Sequence, residues 1–265
     1  MIQRLIWLST VIVIFTIAVL SVNTREVITE ERDIKLLSEN YNPYQKLYDE
    51  MLYPTVRIES VSGIGSGVVI NRPEESRDSA SLRRGAEEAE KSIYILTASH
   101  VVGNQSVVTV TLYSQNIITS LSASVVITDT IKDLALLRTQ INADLQDIIH
   151  KAKLAPKNYK PFIFTEVWAV GCSLGLNPRP SFGYLCALCD LSGDSKYWEV
   201  SSPILPGNSG GPVFSADTHE LIGIAVWVKV YHGQLVTTMA GIVPIQKIYE
   251  FLESIEFKSP KGVQK

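Results

Sequence analysis

The sequence predicts an all-β barrel or sandwich, with an apolar helix ahead of it and a short amphipathic helix behind it. Three observations carry this prediction. From Thr55 onward, about a dozen short runs rich in β-formers are bounded by Gly, Pro, Asn, Asp and Ser. No helical pattern alternates with these runs, which argues against βα units and a parallel sheet. The stretch Leu5–Val22 carries no charged residue, and the stretch after Pro244 carries apolar residues at helical spacing.

The strand-like runs are Thr55–Ile58, Gly67–Ile70, Ile93–Thr97, Val107–Tyr113, Ser124–Ile127, Leu134–Thr139, Glu166–Val170, Gly183–Ala187, Tyr197–Val200, Pro212–Phe214, Leu221–Val230 and Leu235–Ile242. Between the second and third lies a polar, charged stretch over residues 71–92, which reads as a long surface loop. Pro244 suits a first helical position, and Ile245, Ile248, Phe251, Leu252 and Ile255 then form an apolar stripe.

As a helix, Leu5–Val22 would span about 27 Å, close to the ~30 Å of a hydrocarbon core. It is an anchor or a secretory signal. Its length exceeds a usual signal core and no clean A-x-A cleavage site follows, so the anchor is favoured. A short leading end places the following domain on the extracytoplasmic side. Four regions result: 1–23 as anchor or signal, 24–52 as a partly helical connector interrupted by Pro43, 53–256 as the folded domain, and 257–265 as a tail. Tyr41, Tyr44 and Tyr48 punctuate the connector and are packing candidates.

The chain has 265 residues, 46% of them hydrophobic, and a formal net charge of −3. That composition builds a substantial core, and 19% charged residues are too few for a disordered chain. No basic block is present, so nucleic acid is excluded as a partner. Cys172, Cys186 and Cys189 are too few for a disulfide scaffold. They read as small buried groups. A Cys186–Cys189 disulfide and a three-cysteine zinc site stay open as alternatives.

The chemistry-bearing string is Gly207-Asn208-Ser209-Gly210-Gly211-Pro212, preceded by Pro206. Glycines permit a tight turn around the serine. Such a turn can aim the Gly207 and Ser209 amides at one point, where a developing oxyanion would sit, while the serine oxygen attacks. A serine hydroxyl needs a base. Of the four histidines, His100 alone follows small residues at the end of an apolar run, Ile95-Leu96-Thr97-Ala98-Ser99. The base in turn needs an acid to fix its tautomer. Asp133 stands directly before Leu134-Ala135-Leu136-Leu137 and is the candidate, whereas Asp129 reads as an ordinary turn residue.

The strings TASHVV, DLALL and GNSGGP, in the order His, Asp, Ser, resemble the chymotrypsin-like serine proteases, and most of all their HtrA/Deg branch. Gly65-Ser66-Gly67-Val68-Val69-Ile70, Ala169-Val170-Gly171 with Leu174-Gly175, Gly183-Tyr184-Leu185, and Gly241-Ile242-Val243-Pro244 extend the resemblance over roughly residues 50–256. It implies two packed six-stranded β-barrels with the site in the cleft. It also implies His100 as base, Asp133 as orienter, Ser209 as nucleophile and the Gly207 and Ser209 amides as oxyanion hole.

By motif position the substrate pocket involves Pro203 at its base and Val226, Trp227 and Val228 as walls, none of them charged. That implies cleavage after small or medium aliphatic residues. The chemistry requires no metal or organic cofactor. The implied partners are protein or peptide substrates and, through residues 5–22, a membrane. A homotrimer through Tyr41, Tyr44, Tyr48 and Tyr53 is a further expectation, as is the absence of the PDZ domain usual in the branch. The middle segment around Cys172 and Asn177-Pro178-Arg179-Pro180 departs from the family loop, leaving open whether the oxyanion hole is preformed. A catalytically silent binding module is the alternative from a different class.

Overall fold

The computed structural model describes residues 44–71, 92–115, 117–188 and 197–255. The expected span 5–22, Tyr41, nearly all of the polar stretch 71–92, Cys189 and the tail 257–265 lie outside these residues. Among the described residues, no helix is long and apolar enough to cross a membrane.

The first barrel contains β1 (Thr55–Ser60), β2 (Gly63–Ile70), β3 (Ser92–Thr97), β4 (Val107–Ser114), β5 (Ile117–Asp129) and β6 (Leu134–Gln140). It closes antiparallel in the order β1-β2-β3-β6-β5-β4. The second contains β7 (Glu166–Gly171), β8 (Arg179–Ala187), β9 (Trp198–Val200), β10 (Pro212–Ser215), β11 (Leu221–Tyr231) and β12 (Gln234–Pro244). It closes in the order β10-β11-β12-β9-β8-β7. Closure leaves neither sheet with an unpaired edge.

Period-2 patterning accounts for these strands. In β1, Val56 and Ile58 are fully buried while Arg57 and Glu59 alternate with them on the outer face. β3 and β6 are buried along nearly their whole length, which matches their unbroken apolar runs. Ile58, Ile95, Leu96, Leu136 and Leu137 are each fully buried, and each such side chain contributes about 2 kcal/mol. Behind the second barrel, α2 (Ile245–Glu253) buries Ile248, Phe251 and Leu252 against β11 and β12. Its Tyr249 hydroxyl donates to the Ala155 carbonyl at 3.1 Å.

Two strands exceed their sequence signal. β5 begins at Ile117, seven residues before the apolar run, and β8 begins at Arg179, four residues before it. In both, pairing to β4 and β7 continues through positions rich in Ser, Thr or Pro, with Leu121 packed on the core and Phe182 set against Trp168.

Register fixes what the fold brings together. Thr97 at the end of β3 pairs with Ala135 near the start of β6, and with Gly67 on β2. The segment leaving β3 therefore lies beside the segment entering β6, level with Gly67 midway along β2. Arg57 on β1 pairs directly with Ser66 on β2, so their side chains leave the same face of the sheet.

Candidate active site

The chain leaves β3 through Ala98 into a single helical turn, α1 (Ser99–Val102). Val101 and Val102 are buried and pin this turn to the barrel, while His100 between them and Ser99 stays exposed. Gly103, at φ +57°, ends the turn. Asp133 sits two residues before Ala135, so it meets α1 at the paired strand ends. Its own backbone takes φ +54°, a left-handed conformation that Asp tolerates better than most residues.

The Asp133 carboxylate accepts three hydrogen bonds from α1. His100 Nδ1 lies 2.7 Å from Oδ2, and the His100 amide and the Ser99 hydroxyl each lie 3.0 Å from Oδ1. An ionised carboxylate only accepts, so Nδ1 carries the proton and the neutral ring presents its Nε2 lone pair on the opposite edge. Burial alone would push the Asp133 carboxyl upward. The bonds from the His100 ring and amide, the His100 charge and the Ser99 hydroxyl outweigh burial and hold it below the ordinary carboxylate value. Asp133 is thus ionised throughout the neutral range. Its contribution to stability is present above the ordinary carboxylate value and is lost as pH falls through the lowered one.

Asp129 is committed elsewhere. Its carboxylate accepts the Ile131 amide at 3.0 Å, the Lys132 amide at 2.9 Å and Lys132 Nζ at 2.8 Å, which closes the turn between β5 and β6. The other histidines are committed as well. His219 Nδ1 meets Glu50 at 2.6 Å, His150 packs against Tyr53 and lies 3.7 Å from Asp49, and His232 packs edge-on against Tyr231.

Ser209 comes from the second barrel, in the turn before β10. Its carbonyl accepts the Ser66 amide of β2 at 2.8 Å. Gly65 lies between this turn and α1: a Cβ there would meet both Val101 methyls at 2.6 Å and the Ser209 carbonyl at 3.1 Å. The His100 turn and the Ser209 turn therefore adjoin across one glycine, and they come from different barrels. Among the described residues, Ser209 Oγ makes no hydrogen bond.

The amides around Ser209 divide cleanly. Asn208 N donates to Leu205 O, Gly210 N to Ala225 O and Gly211 N to Asn208 O. Among the described residues, the N–H groups of Gly207 and Ser209 find no acceptor. Their directions follow from the peptide planes, in which C=O and N–H are antiparallel. The Pro206 carbonyl is held by Leu174 N at 2.7 Å, so the Gly207 N–H points away from Leu174. The Asn208 carbonyl is held by Gly211 N at 2.9 Å, so the Ser209 N–H also points away from that bond. Two unspent amides flanking an unspent serine oxygen can bind an anionic oxygen.

Gly207 has φ +96°, and a Cβ there would run into the Cys172 carbonyl and lie 2.9 Å from Leu174 N. Gly207→Ala is expected to lower kcat/KM by about 10²–10³-fold through displacement of this amide. Steady-state kinetics with the melting temperature as control check this.

Sequence reasoning missed the residues that hold this turn. Ser66, fully buried, donates from Oγ to Gly207 O at 2.7 Å and accepts the Cys172 amide at 2.8 Å. Ser173 Oγ donates to Asn208 Oδ1 at 2.7 Å. The string Gly65-Ser66-Gly67 was visible in the sequence, but only as a family match.

The pocket candidates lie as follows. Pro203 is exposed, and its carbonyl accepts the Ser181 hydroxyl at 2.9 Å. Val226 is buried, and Trp227 and Val228 are half-buried on β11. The Trp227 indole lies against Gly241 of β12, where any Cβ would collide with it, and Tyr197 meets it edge-on at 6.2 Å. Cys172 is fully buried, and burial pushes its thiol up to about 12 against the opposing effects of Ser66 and Arg57. Cys172 follows β7 and Cys186 lies near the far end of β8. The β7–β8 register separates them by about 25 Å, which removes the shared zinc site as an alternative.

The trypsin-like peptidase domain model matches residues 65–224. The chain is 28% identical over 222 residues to a serine protease HtrA-like protein of Staphylococcus epidermidis, covering 76% of this chain and 32% of that protein. It thus spans about a third of the length of the curated relatives it matches. Its fold resembles a serine endoprotease from Yersinia pestis (TM-score 0.59, 20% identity, 80% of this chain and 66% of that one). It also resembles an HtrA-type protease solved with a tripeptide (TM-score 0.62, 19% identity, 80% of this chain and 63% of that one). With two closed six-stranded barrels meeting at Ser209, and with the matched model spanning most of both, this chain belongs to the trypsin-like peptidase domain family.

Proposed function

We propose that this chain is a serine endopeptidase that cleaves protein substrates through Ser209, His100 and Asp133. The observation that carries the proposal is the His100–Asp133 pair on one barrel, seated beside a serine turn on the other whose Gly207 and Ser209 amides are unspent. As Ser209 Oγ attacks the scissile carbonyl carbon, its proton passes to His100 Nε2 and the carbonyl oxygen becomes an anion held by the two amides. Asp133 stabilises the resulting imidazolium. The C–N bond then breaks, His100 returns the proton to the leaving amine, and an acyl-Ser209 ester remains. Water, deprotonated by the same Nε2, hydrolyses the ester and restores the serine.

The flanking side chains Val226, Trp227 and Val228 support an uncharged specificity slot, with Pro203 at its base. Cleavage after small or medium aliphatic residues is expected. Sequencing the fragments of an unfolded protein digested by the full chain tests this, and a profile dominated by Lys or Arg would contradict it. The apolar stretch 5–22 supports a membrane-anchored enzyme with its domain on the extracytoplasmic side; the likeness to an HtrA-like serine protease supports a role in protein quality control or regulatory cleavage, and Tyr41, Tyr44, Tyr48 and Tyr53 are the candidate contacts of a homotrimer.

A further inference from the structure

The Gly207 amide is aimed by a bond that belongs to another loop. Leu174 N holds the Pro206 carbonyl, and Leu174 sits at the centre of the turn Ser173–Gly175. This turn is locally unfavourable at Leu174, which has φ +55°, while Gly175 at φ +77° takes a conformation open to glycine. A left-handed non-glycine residue persists only where its surroundings hold it.

The holders come from the first barrel. Ser66 Oγ accepts the Cys172 amide at one end of the turn. Arg57 Nη1 donates to the Gly175 carbonyl, 3.1 Å away, at the other end, across 118 residues of chain. Ser66 and Arg57 are direct cross-strand partners, so one patch of the β1–β2 sheet grips both ends of the turn. Arg57 is itself steadied by Glu59, whose carboxylate lies 2.8 Å from Nη2, and its side chain is only 25% exposed. The planar guanidinium can serve both partners at once, which a lysine ammonium on a flexible stem does less well.

We infer that Arg57 is a positioning residue for the oxyanion hole: by holding Gly175 it keeps Leu174 N on the Pro206 carbonyl and so keeps the Gly207 N–H aimed at the reacting oxygen. The inference rests on the proposed peptidase chemistry at Ser209. It gives Arg57, which touches no substrate, an effect on the chemical step and none on ground-state binding.

The test compares wild type, Arg57→Lys and Arg57→Gln in the full chain. Three quantities are measured: kcat and KM on a peptide ester, affinity for a peptidyl boronate that forms a tetrahedral adduct with the serine, and melting temperature. Arg57→Gln is expected to lower kcat by about 10- to 100-fold with KM changed less than about twofold, since a misaimed donor costs somewhat less than a deleted one. Boronate affinity should fall by the same factor as kcat/KM, and Arg57→Lys should recover much of both. Unchanged kcat in Arg57→Gln would overturn the inference. So would a loss of activity that tracks melting temperature while the boronate affinity of the folded fraction stays at the wild-type value. A wild-type chain that neither turns over the ester nor binds the boronate would overturn the peptidase proposal itself, and the inference with it.

Discussion

Ser209→Ala is expected to lower turnover of a protein substrate by about 10⁴–10⁶-fold while leaving the melting temperature within a degree or two. The magnitude follows from removing the nucleophile of a cooperating set, after which only the oxyanion donors and substrate binding contribute. The preserved fold follows from local geometry. Among the described residues, Ser209 Oγ makes no hydrogen bond, and the Ser209 backbone bond to Ser66 does not involve the side chain. Turnover assays with circular dichroism on the same preparation check both parts. A variant that retained more than about a hundredth of wild-type activity would place the nucleophile elsewhere.

Asp133→Asn is expected to cost about 10⁴-fold in kcat. The amide would offer His100 Nδ1 an N–H as well as a carbonyl oxygen. A ring that turns its Nδ1 lone pair toward that N–H carries its own proton on Nε2, and then it cannot accept from Ser209. The pair should also differ in pH response. The wild-type carboxyl sits below the ordinary carboxylate value, so its stabilising contribution is complete at neutral pH and fades only under acid conditions. In Asp133→Asn that acid-linked loss should disappear from a pH series of melting temperatures. Asp129→Asn is the control. Its carboxylate serves only the turn and Lys132, so it should lose some stability and little activity. Reversal of the two phenotypes would reassign the acid.

Much of this architecture is legible in the sequence because barrel strands write their burial into alternation. Each of the twelve strand-like runs coincides with a strand, and the unbroken run Leu134–Leu137 marks a strand buried on both faces. The shortfalls are the first half of β5 and the first residues of β8, where Ser, Thr and Pro positions dilute the apolar signal although Leu121 packs on the core and Phe182 meets Trp168 edge-on. His100, Asp133 and Ser209 are legible for a different reason: each lies at the mouth of a strand, in a local string whose chemistry is unusual. Ser66, Leu174 and Arg57 are not. Their roles run through main-chain atoms of other loops: for Ser66 to Cys172 and Gly207 and for Arg57 to Gly175, more than a hundred positions away, and for Leu174 to Pro206. A serine between glycines and an arginine in a strand carry no sign of that. The middle segment departs from the family loop at Cys172 and at Asn177-Pro178-Arg179-Pro180. In the structure the same segment supplies Leu174 N, which orients Gly207.

Ser209 is the proposed activated nucleophile. Incubating the full wild-type chain with a fluorophosphonate and mapping the adduct by peptide mass spectrometry tests it most directly. One adduct per chain is expected, on Ser209, absent from Ser209→Ala and forming far more slowly in Asp133→Asn. An unlabelled wild-type chain, or an adduct on any other residue, would contradict it.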